Sequence, residues 1–452
     1  MHNRALVSKQ RLRPSPLALR LLLGLGFCAF FGALIEKQWL QWGALADLPL
    51  LALFILVSLF GIDYFATRKQ TAVTMQRKLP SGLALNQWVT VQLKLDHSFT
   101  QPKWIAVFDG LPNDLIAEGA QSNVLLQIGR HSILEYRLRP LRRGELRFEQ
   151  CHIQIRGPMG LWLQCYAVAA HSESKVYPDF AAITAYTLLA SENHTSQLGI
   201  RTRSRRGLGL NFHQLREYRQ GDSLRQLDWN ATAKRQQLIS KEYQDERDQN
   251  VVLLIDSGRR MRSQDGELNH FDQALNASIL LSYIALRQGD SVAVMSFGQQ
   301  ERWIPAQKGS DRVKVILNGL YDLQADNTAP DYLFAAQRLS SLQQKRSLVI
   351  VLTNCRDEET DELKLAMKLL QKRHLVLLAN LREQALDDAI ETNIQNNDQA
   401  LTYCGTLEHL KQRERVHKQL QNQGVFAIDT LAKHLPAKLA NGYWEIKRAG
   451  ML

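Results

Sequence analysis

The chain is poor in cysteine, and its five cysteines are scattered. Cys28, Cys151, Cys165, Cys355 and Cys404 are odd in number, and no two stand in a CxxC pair. That pattern excludes a disulfide framework and a thiolate metal knuckle, and it reads as reduced packing thiols in a non-oxidising compartment. Also absent are a GxxxxGK[ST] loop, a GxGxxG following a strand, a GxSxG elbow and an HExxH helix. Nucleotide hydrolysis, dinucleotide binding, serine-hydrolase chemistry and zinc peptidase chemistry therefore have no recognisable carrier. The 12 histidines show no ligand spacing, and His213, His270 and His374 read as surface or supporting residues. Extremes of composition are missing too. With 45% apolar and 22% charged residues, the chain is neither disordered nor fibrous.

What is present is length, positive charge and two long apolar runs. At 452 residues, two or three domains are expected. A formal net charge of +12 favours acidic partners, either anionic lipid or nucleic acid. The apolar runs cover about 17–35 and about 46–66, each near the ~20 residues that cross a bilayer. The second run follows only about a dozen residues later with no convincing small-x-small cleavage site between them, which argues against a removable signal peptide. Arg4, Lys9, Arg11 and Arg13 precede the first run and Arg68 and Lys69 follow the second, while the connector is nearly neutral. The positive-inside rule then gives a transmembrane hairpin with both ends in the cytoplasm.

Beyond the hairpin, from about residue 70 to about 180, short segments such as "QWVTVQLKLDH" and "HSILEYRLRPL" alternate with period two between turn residues. They predict an antiparallel β-sandwich without grouped ionisable residues. From about 250 to about 445, continuous apolar runs ("VVLLIDS", "SVAVMSFG", "RSLVIVLTN", "HLVLLANL") alternate with helical patterns. This predicts a doubly wound parallel sheet covered on both faces, the α/β class, with ligand sites at the carboxyl ends of its strands. Between the two, residues from about 181 to about 249 form a linker that includes "RTRSRR". No interleaved aromatics or nucleic-acid module accompany that cluster, so attraction to lipid headgroups is its simpler use and nucleic acid is not the expected partner.

The linker continues as "FHQLREYRQGDSLRQLDWNATAK", which resembles the signature of the domain of unknown function 58 family, F-x-x-L-R-x-Y-x-x-G-D-x-x-R-x-I-D-W-x-A-x-A-[RK]. Phe212, Leu215, Arg216, Tyr218, Gly221, Asp222, Arg225, Asp228, Trp229, Ala231, Ala233 and Lys234 match position by position. The resemblance extends to the hairpin, to "RPLRRGELRF" and "GPMGLW" in the β-region, and to the strand–helix region beyond. It implies a C-terminal domain similar to von Willebrand factor A domains. It also implies a MoxR-type AAA+ ATPase as partner and a multi-pass location in the bacterial inner (cytoplasmic) membrane. It supplies no activity.

Such A domains often hold Mg²⁺ with a D-x-S-x-S loop, a Thr and a distant Asp, and hard oxygen donors suit that cation. Aligned on Asp256, the two serine places are taken by Gly258 and Arg260, and the distant carboxylate by Asn354. Thr328 stands loosely near the threonine place, and Ser257, Thr353 and Asp357 are the remaining auxiliaries. This is a degenerate metal site with no expected cofactor. Arg259 and Arg260 invite the expectation that an arginine folds back and neutralises Asp256. For the signature, the expectation is a salt-bridged clamp or a partner-docking surface around Arg216, Tyr218, Asp222, Arg225 and Asp228, with Trp229 as an apolar plug. The resulting reading is a non-enzymatic, membrane-anchored adaptor. A metal-assisted hydrolase using Asp256, Asp222 and Asp228 is the alternative.

Overall fold

A computed structural model describes residues 7–39, 48–68, 73–128, 131–179, 211–219, 227–244 and 249–451. It divides into two compact units, residues 1–176 and 177–452.

The first unit is built from period-two strands. In β4 (Val89–Asp96), Val91, Leu93 and Leu95 are buried while their neighbours are not, which is what one solvated face requires. One sheet runs β1 (Val7–Pro14), β10 (Trp162–Tyr177), β9 (Gly144–Arg156), β5 (Lys103–Asp109), β7 (Gln121–Leu126), with β3 (Gly82–Ala84) also on β10. The other runs β2 (Thr74–Lys78), β4, β8 (His131–Pro140), β6 (Leu115–Glu118). A buried polar knot ties the two together. Asp109 of β5 accepts from Arg77 Nε of β2 at 2.9 Å and from the Tyr136 hydroxyl of β8 at 2.7 Å. Each buried charge thus has a partner, the condition for tolerating it in a core.

Residues 7–14 read in the sequence as a basic tail, yet they form β1, an edge strand antiparallel to β10. The local pattern hides this because an edge strand needs few apolar residues, and Lys and Arg suit an exposed edge. Helices α1 (Pro16–Trp39) and α2 (Leu48–Arg68) follow directly. Among the described residues, the segment Leu51–Arg68 is long and apolar enough to cross a membrane, and Pro16–Cys28 is a shorter apolar stretch. Both helices are fastened at the same turn of the β unit. Ser15 donates its backbone N–H to Leu161 O at 2.8 Å and caps α1 by accepting from Ala18 N–H at 3.1 Å. Asp63 of α2, fully buried, accepts the backbone N–H groups of Met159, Leu161 and Trp162 at 2.9, 2.9 and 3.1 Å. These residues belong to "GPMGLW", so part of that motif works as a nest for the Asp63 carboxylate.

In the second unit, β11 (Asn211–Glu217) and β12 (Ile239–Gln244) pair antiparallel, with α3 (Trp229–Arg235) between them in sequence. Farther on, β13 (Asn250–Asp256) leads through a small hairpin, β14 (Gln264–Asp265) and β15 (Leu268–Asn269), into α4 (His270–Arg287). Next come β16 (Ser291–Phe297), β17 (Arg302–Lys308), α5 (Val313–Leu320), α6 (Tyr332–Leu342), β18 (Leu348–Thr353) and α7 (Thr360–Gln371). The chain then forms β19 (Leu375–Arg382), α8 (Gln384–Glu391), α9 (Asn397–Asn422), β20 (Phe426–Leu431) and α10 (Leu435–Arg448). The six-stranded sheet has the order β17-β16-β13-β18-β19-β20, parallel except for β17. Every residue of β18 is buried, because cores cover both faces. Leu253 and Ile350 pack in the core shared with α4 and α10; Leu254 and Val351 pack in the core shared with α6 and α7. Successive strands go to opposite sides of β13, so strand order reverses between β13 and β18. In open α/β sheets that reversal, at the carboxyl ends of the strands, is where ligands bind.

Candidate functional site

Asp256 ends β13 beside that reversal and is fully buried. Its Oδ1 accepts the Gly258 N–H and its Oδ2 the Thr353 hydroxyl, both at 2.7 Å. Tyr332 lies 2.8 Å from Thr353 Oγ1 and donates to it, completing a Tyr–Thr–Asp chain. Burial pushes the Asp256 carboxyl up to about 7; the two hydrogen bonds oppose that rise, and Glu359 and Asp326 add to it. Burial likewise raises the Tyr332 hydroxyl, and it raises the Cys355 thiol to about 12, which leaves that cysteine an inert packing group.

The expected Asp–Arg pair does not form. Arg259 reaches Glu359 at 3.4 Å, and Arg260 pairs with Glu358 and lies 3.5 Å from Glu359. The physical reason is the extended turn at Gly258, which hands its own N–H to Asp256 and carries the arginines past it. Asp326 organises the facing loop: it accepts from Thr328 N–H at 2.8 Å and Gln299 N–H at 2.9 Å. Thr328 contributes its backbone carbonyl, which accepts Arg259 N–H at 2.9 Å. Ser257 donates its hydroxyl to Phe297 O at 2.8 Å.

Asn354 turns its amide N–H toward Glu383 Oε1 at 2.9 Å, and its buried Oδ1 has no hydrogen-bond partner. Burial alone would raise the Glu383 carboxyl, but donors from Asn354 and Arg356 hold it down to about 2. Of the places such a cation would use, Gly258 and Arg260 offer no oxygen side chain, each Asp256 oxygen already accepts a hydrogen bond, and the Ser257 hydroxyl is oriented by donating to Phe297 O. Among the described residues, no group of three or more His, Cys, Asp or Glu side chains is arranged to hold a metal ion.

Gly258 is closed to repair. A Cβ there would lie 2.9 Å from Thr328 O and 3.1 Å from Asp256 Oδ1. Gly258→Ser, the change that would restore one lost hydroxyl, is expected to destabilise the protein by about 1–3 kcal/mol through overpacking. A thermal melt of the full chain in detergent checks this, and an unchanged melting temperature would show the loop to be looser than described.

In the signature, Gly221, Asp222 and Arg225 lie outside the described residues. Asp228 is the N-cap of α3, accepting from Ala231 N–H at 3.0 Å, and it pairs with Lys241 at 3.3 Å; these donors hold its carboxyl below the usual range. The D-W-x-A-x-A-K run is therefore a capped helix start, with Lys234 in its last turn. Arg216 donates to its neighbour's carbonyl, Glu217 O, at 3.0 Å, and Tyr218 N–H bonds Leu238 O at 2.8 Å. Trp229 is not a plug: as the first residue of α3 it is 67% exposed, and Leu227 and Ile239 are the buried apolar residues there.

Glu358, Glu359, Asp326, Tyr332 and Glu383 escaped the sequence reading, because their roles come from contacts across loops far apart in the chain. The one local signal is the pair Glu358–Glu359, which follows the end of β18 much as the opposite-charged pair Arg259–Arg260 follows the end of β13, though two residues farther on.

Residues 214–425 match the family of proteins of unknown function DUF58. The match begins in β11, takes in the signature helix and ends just before β20. The chain is also similar to the uncharacterized protein YeaD of Bacillus subtilis, 24% identical over 378 residues, covering 81% of this chain and 89% of that protein. Among solved structures, an aerotolerance-related membrane protein from Bacteroides fragilis aligns over 29% of this chain and 67% of its own, at 15% identity and a TM-score of 0.23. Proximal thread matrix protein 1 from the mussel byssus aligns over 45% of this chain and 46% of its own, at 9% identity and a TM-score of 0.27.

Proposed function

We propose that this DUF58 chain is a membrane-anchored, non-enzymatic adaptor. Its α1–α2 hairpin holds it at the bacterial inner membrane with the soluble units cytoplasmic. Its von Willebrand A-like sheet offers the strand-order reversal, and the signature helix α3, to a MoxR-type AAA+ ATPase or an assembly client. The observation that carries this reading is the contrast between Asp256 and Trp229. The Asp256 carboxylate is spent on backbone and hydroxyl donors, whereas Trp229, a residue type enriched where proteins bind one another, stands in solvent. The hairpin is supported by connectivity: β1 before α1 and the strands after α2 belong to one β unit, so the chain must cross an even number of times between them. The alternative, a metal-assisted hydrolase on Asp256, Asp222 and Asp228, finds no support at Asp228, whose carboxylate caps α3 and pairs with Lys241.

Trp229→Ala should leave the melting temperature unchanged and reduce recovery of an AAA+ ATPase at least tenfold when the full chain is affinity-purified from membranes, the scale of a hot-spot tryptophan, about 2 kcal/mol or more. Equal recovery by the wild type and by both Trp229→Ala and the double variant Arg216→Ala, Asp228→Ala would rule out docking through this segment.

A further inference from the structure

We propose that the helix-proximal rim of the β unit is itself a membrane-binding surface that seats on anionic lipid headgroups. The proposal rests on the reading of Leu51–Arg68 as a membrane span. Strand register puts one rung of side chains at that end of the sheet. Arg13 of β1 pairs with Leu163 of β10, which pairs with Arg156 of β9; on β5, Trp104 pairs with Leu125 of β7. Trp104 directly precedes Ile105, the partner of Ile155, so it belongs to the same rung as Arg156. Neighbouring Ile105, Ile155 and Leu126 point into the core and are buried, and alternation sends this rung the other way. The result is a set of large apolar residues in solvent at one end of the unit: Trp104 is 54% exposed, Ile128 67% and Met159 48%, with Leu125 and the two arginines exposed beside them.

Position identifies the occupant. Met159 lies in the turn that clasps Asp63, and Trp162 Nε1 in the same turn donates to Phe60 O at 3.0 Å. Phe60 is eight residues before Arg68, or about 12 Å along the helix at 1.5 Å per residue. The headgroup zone of one leaflet is only about 5–8 Å deep. A turn that grips the span at Phe60 and Asp63 therefore cannot stand clear of the headgroups. The chemistry agrees: tryptophan favours the membrane interface, and arginines there meet lipid phosphates, each residue strengthening the attraction about fivefold.

The test uses the full-length protein in vesicles of phosphatidylcholine, with and without phosphatidylglycerol, carrying brominated acyl chains that quench nearby tryptophan. The part of the emission that Trp104→Phe removes should be quenched, more strongly with phosphatidylglycerol present. Ile128→Trp in the Trp104→Phe background should restore quenchable emission, and Arg13→Gln with Arg156→Gln should abolish the phosphatidylglycerol dependence. If Trp104 emission is unquenched while the protein resists alkaline carbonate extraction, the rim proposal fails and the anchor stands. Release of the protein by carbonate would overturn the anchor, and the proposal with it.

Discussion

Replacing Asp63 with alanine is expected to cost the first unit about 3–5 kcal/mol and to free α2 from the β-sheet. Three backbone N–H groups, from Met159, Leu161 and Trp162, converge on that carboxylate, and alanine leaves all three without their acceptor. A buried donor stranded in this way costs about 1–3 kcal/mol, less where water can reach it. The ring packing that depends on the same docking should loosen as well, since Trp162 lies edge-on to both Phe60 and Tyr64 at 5.8 and 5.3 Å. Near-ultraviolet circular dichroism of the full chain in detergent, followed through a thermal melt, reports both effects. Gly157→Ala should reproduce the defect from the other side, because a Cβ there would sit 2.3 Å from Thr67 Oγ1 and 2.9 Å from the Asp63 carboxylate. Asp63→Asn retains one acceptor oxygen and should be milder. A melt of Asp63→Ala that overlays the wild type would show that the clasp contributes nothing.

The second large effect is a pH dependence centred on Asp256. Its carboxyl titrates near 7 in the folded protein, against about 3.9 in an unfolded chain. Below about pH 4 the group is protonated in both states. Between about pH 4 and 7 the folded protein keeps its proton while the unfolded chain has lost it, so the folded state binds more protons. Stability therefore falls as pH rises through that window, by about 4 kcal/mol in all for this one group. Asp256→Asn removes the titration while keeping an acceptor for Gly258 N–H, and the Thr353 hydroxyl can turn to accept from the new amide. The variant should match the wild type within about 1 kcal/mol near pH 4 and exceed it by up to about 4 kcal/mol at pH 8. Urea unfolding of the full chain at both pH values checks this. Identical pH slopes for the two proteins would mean that Asp256 is ionised in the folded state.

Much of this architecture was legible because burial writes directly into sequence. Val251–Ile255 and Leu348–Leu352 are apolar at every position because their strands are covered on both faces, and "QWVTVQLKLDH" alternates because its sheet is covered on one. Asp256 stood out for the same reason, as a charge ending an apolar run. What stayed hidden was pairing over distance. Arg259 and Arg260 read as neighbours of Asp256, yet their partners Glu358 and Glu359 lie about a hundred residues on. Asp63 went unremarked within its apolar run, because its donors come from the turn at Gly157–Trp162, almost a hundred residues on. Trp229 carries the same letter whether it plugs a core or faces water; only its place as the first residue of a capped helix decides.

The edge strand β1 also sets an order of events during synthesis. Its partner β10 is made about 150 residues later, since Arg13 pairs with Leu163. At about 5–20 residues per second, roughly 8 to 30 seconds separate the two strands on the ribosome. Throughout that interval residues 7–14 wait without the β10 strand that will pair with them. If the chain is anchored as proposed, a nascent chain whose first residues were carried across the bilayer could not close this sheet. On that reading, the last strand of this unit to leave the ribosome proofreads the topology of the first.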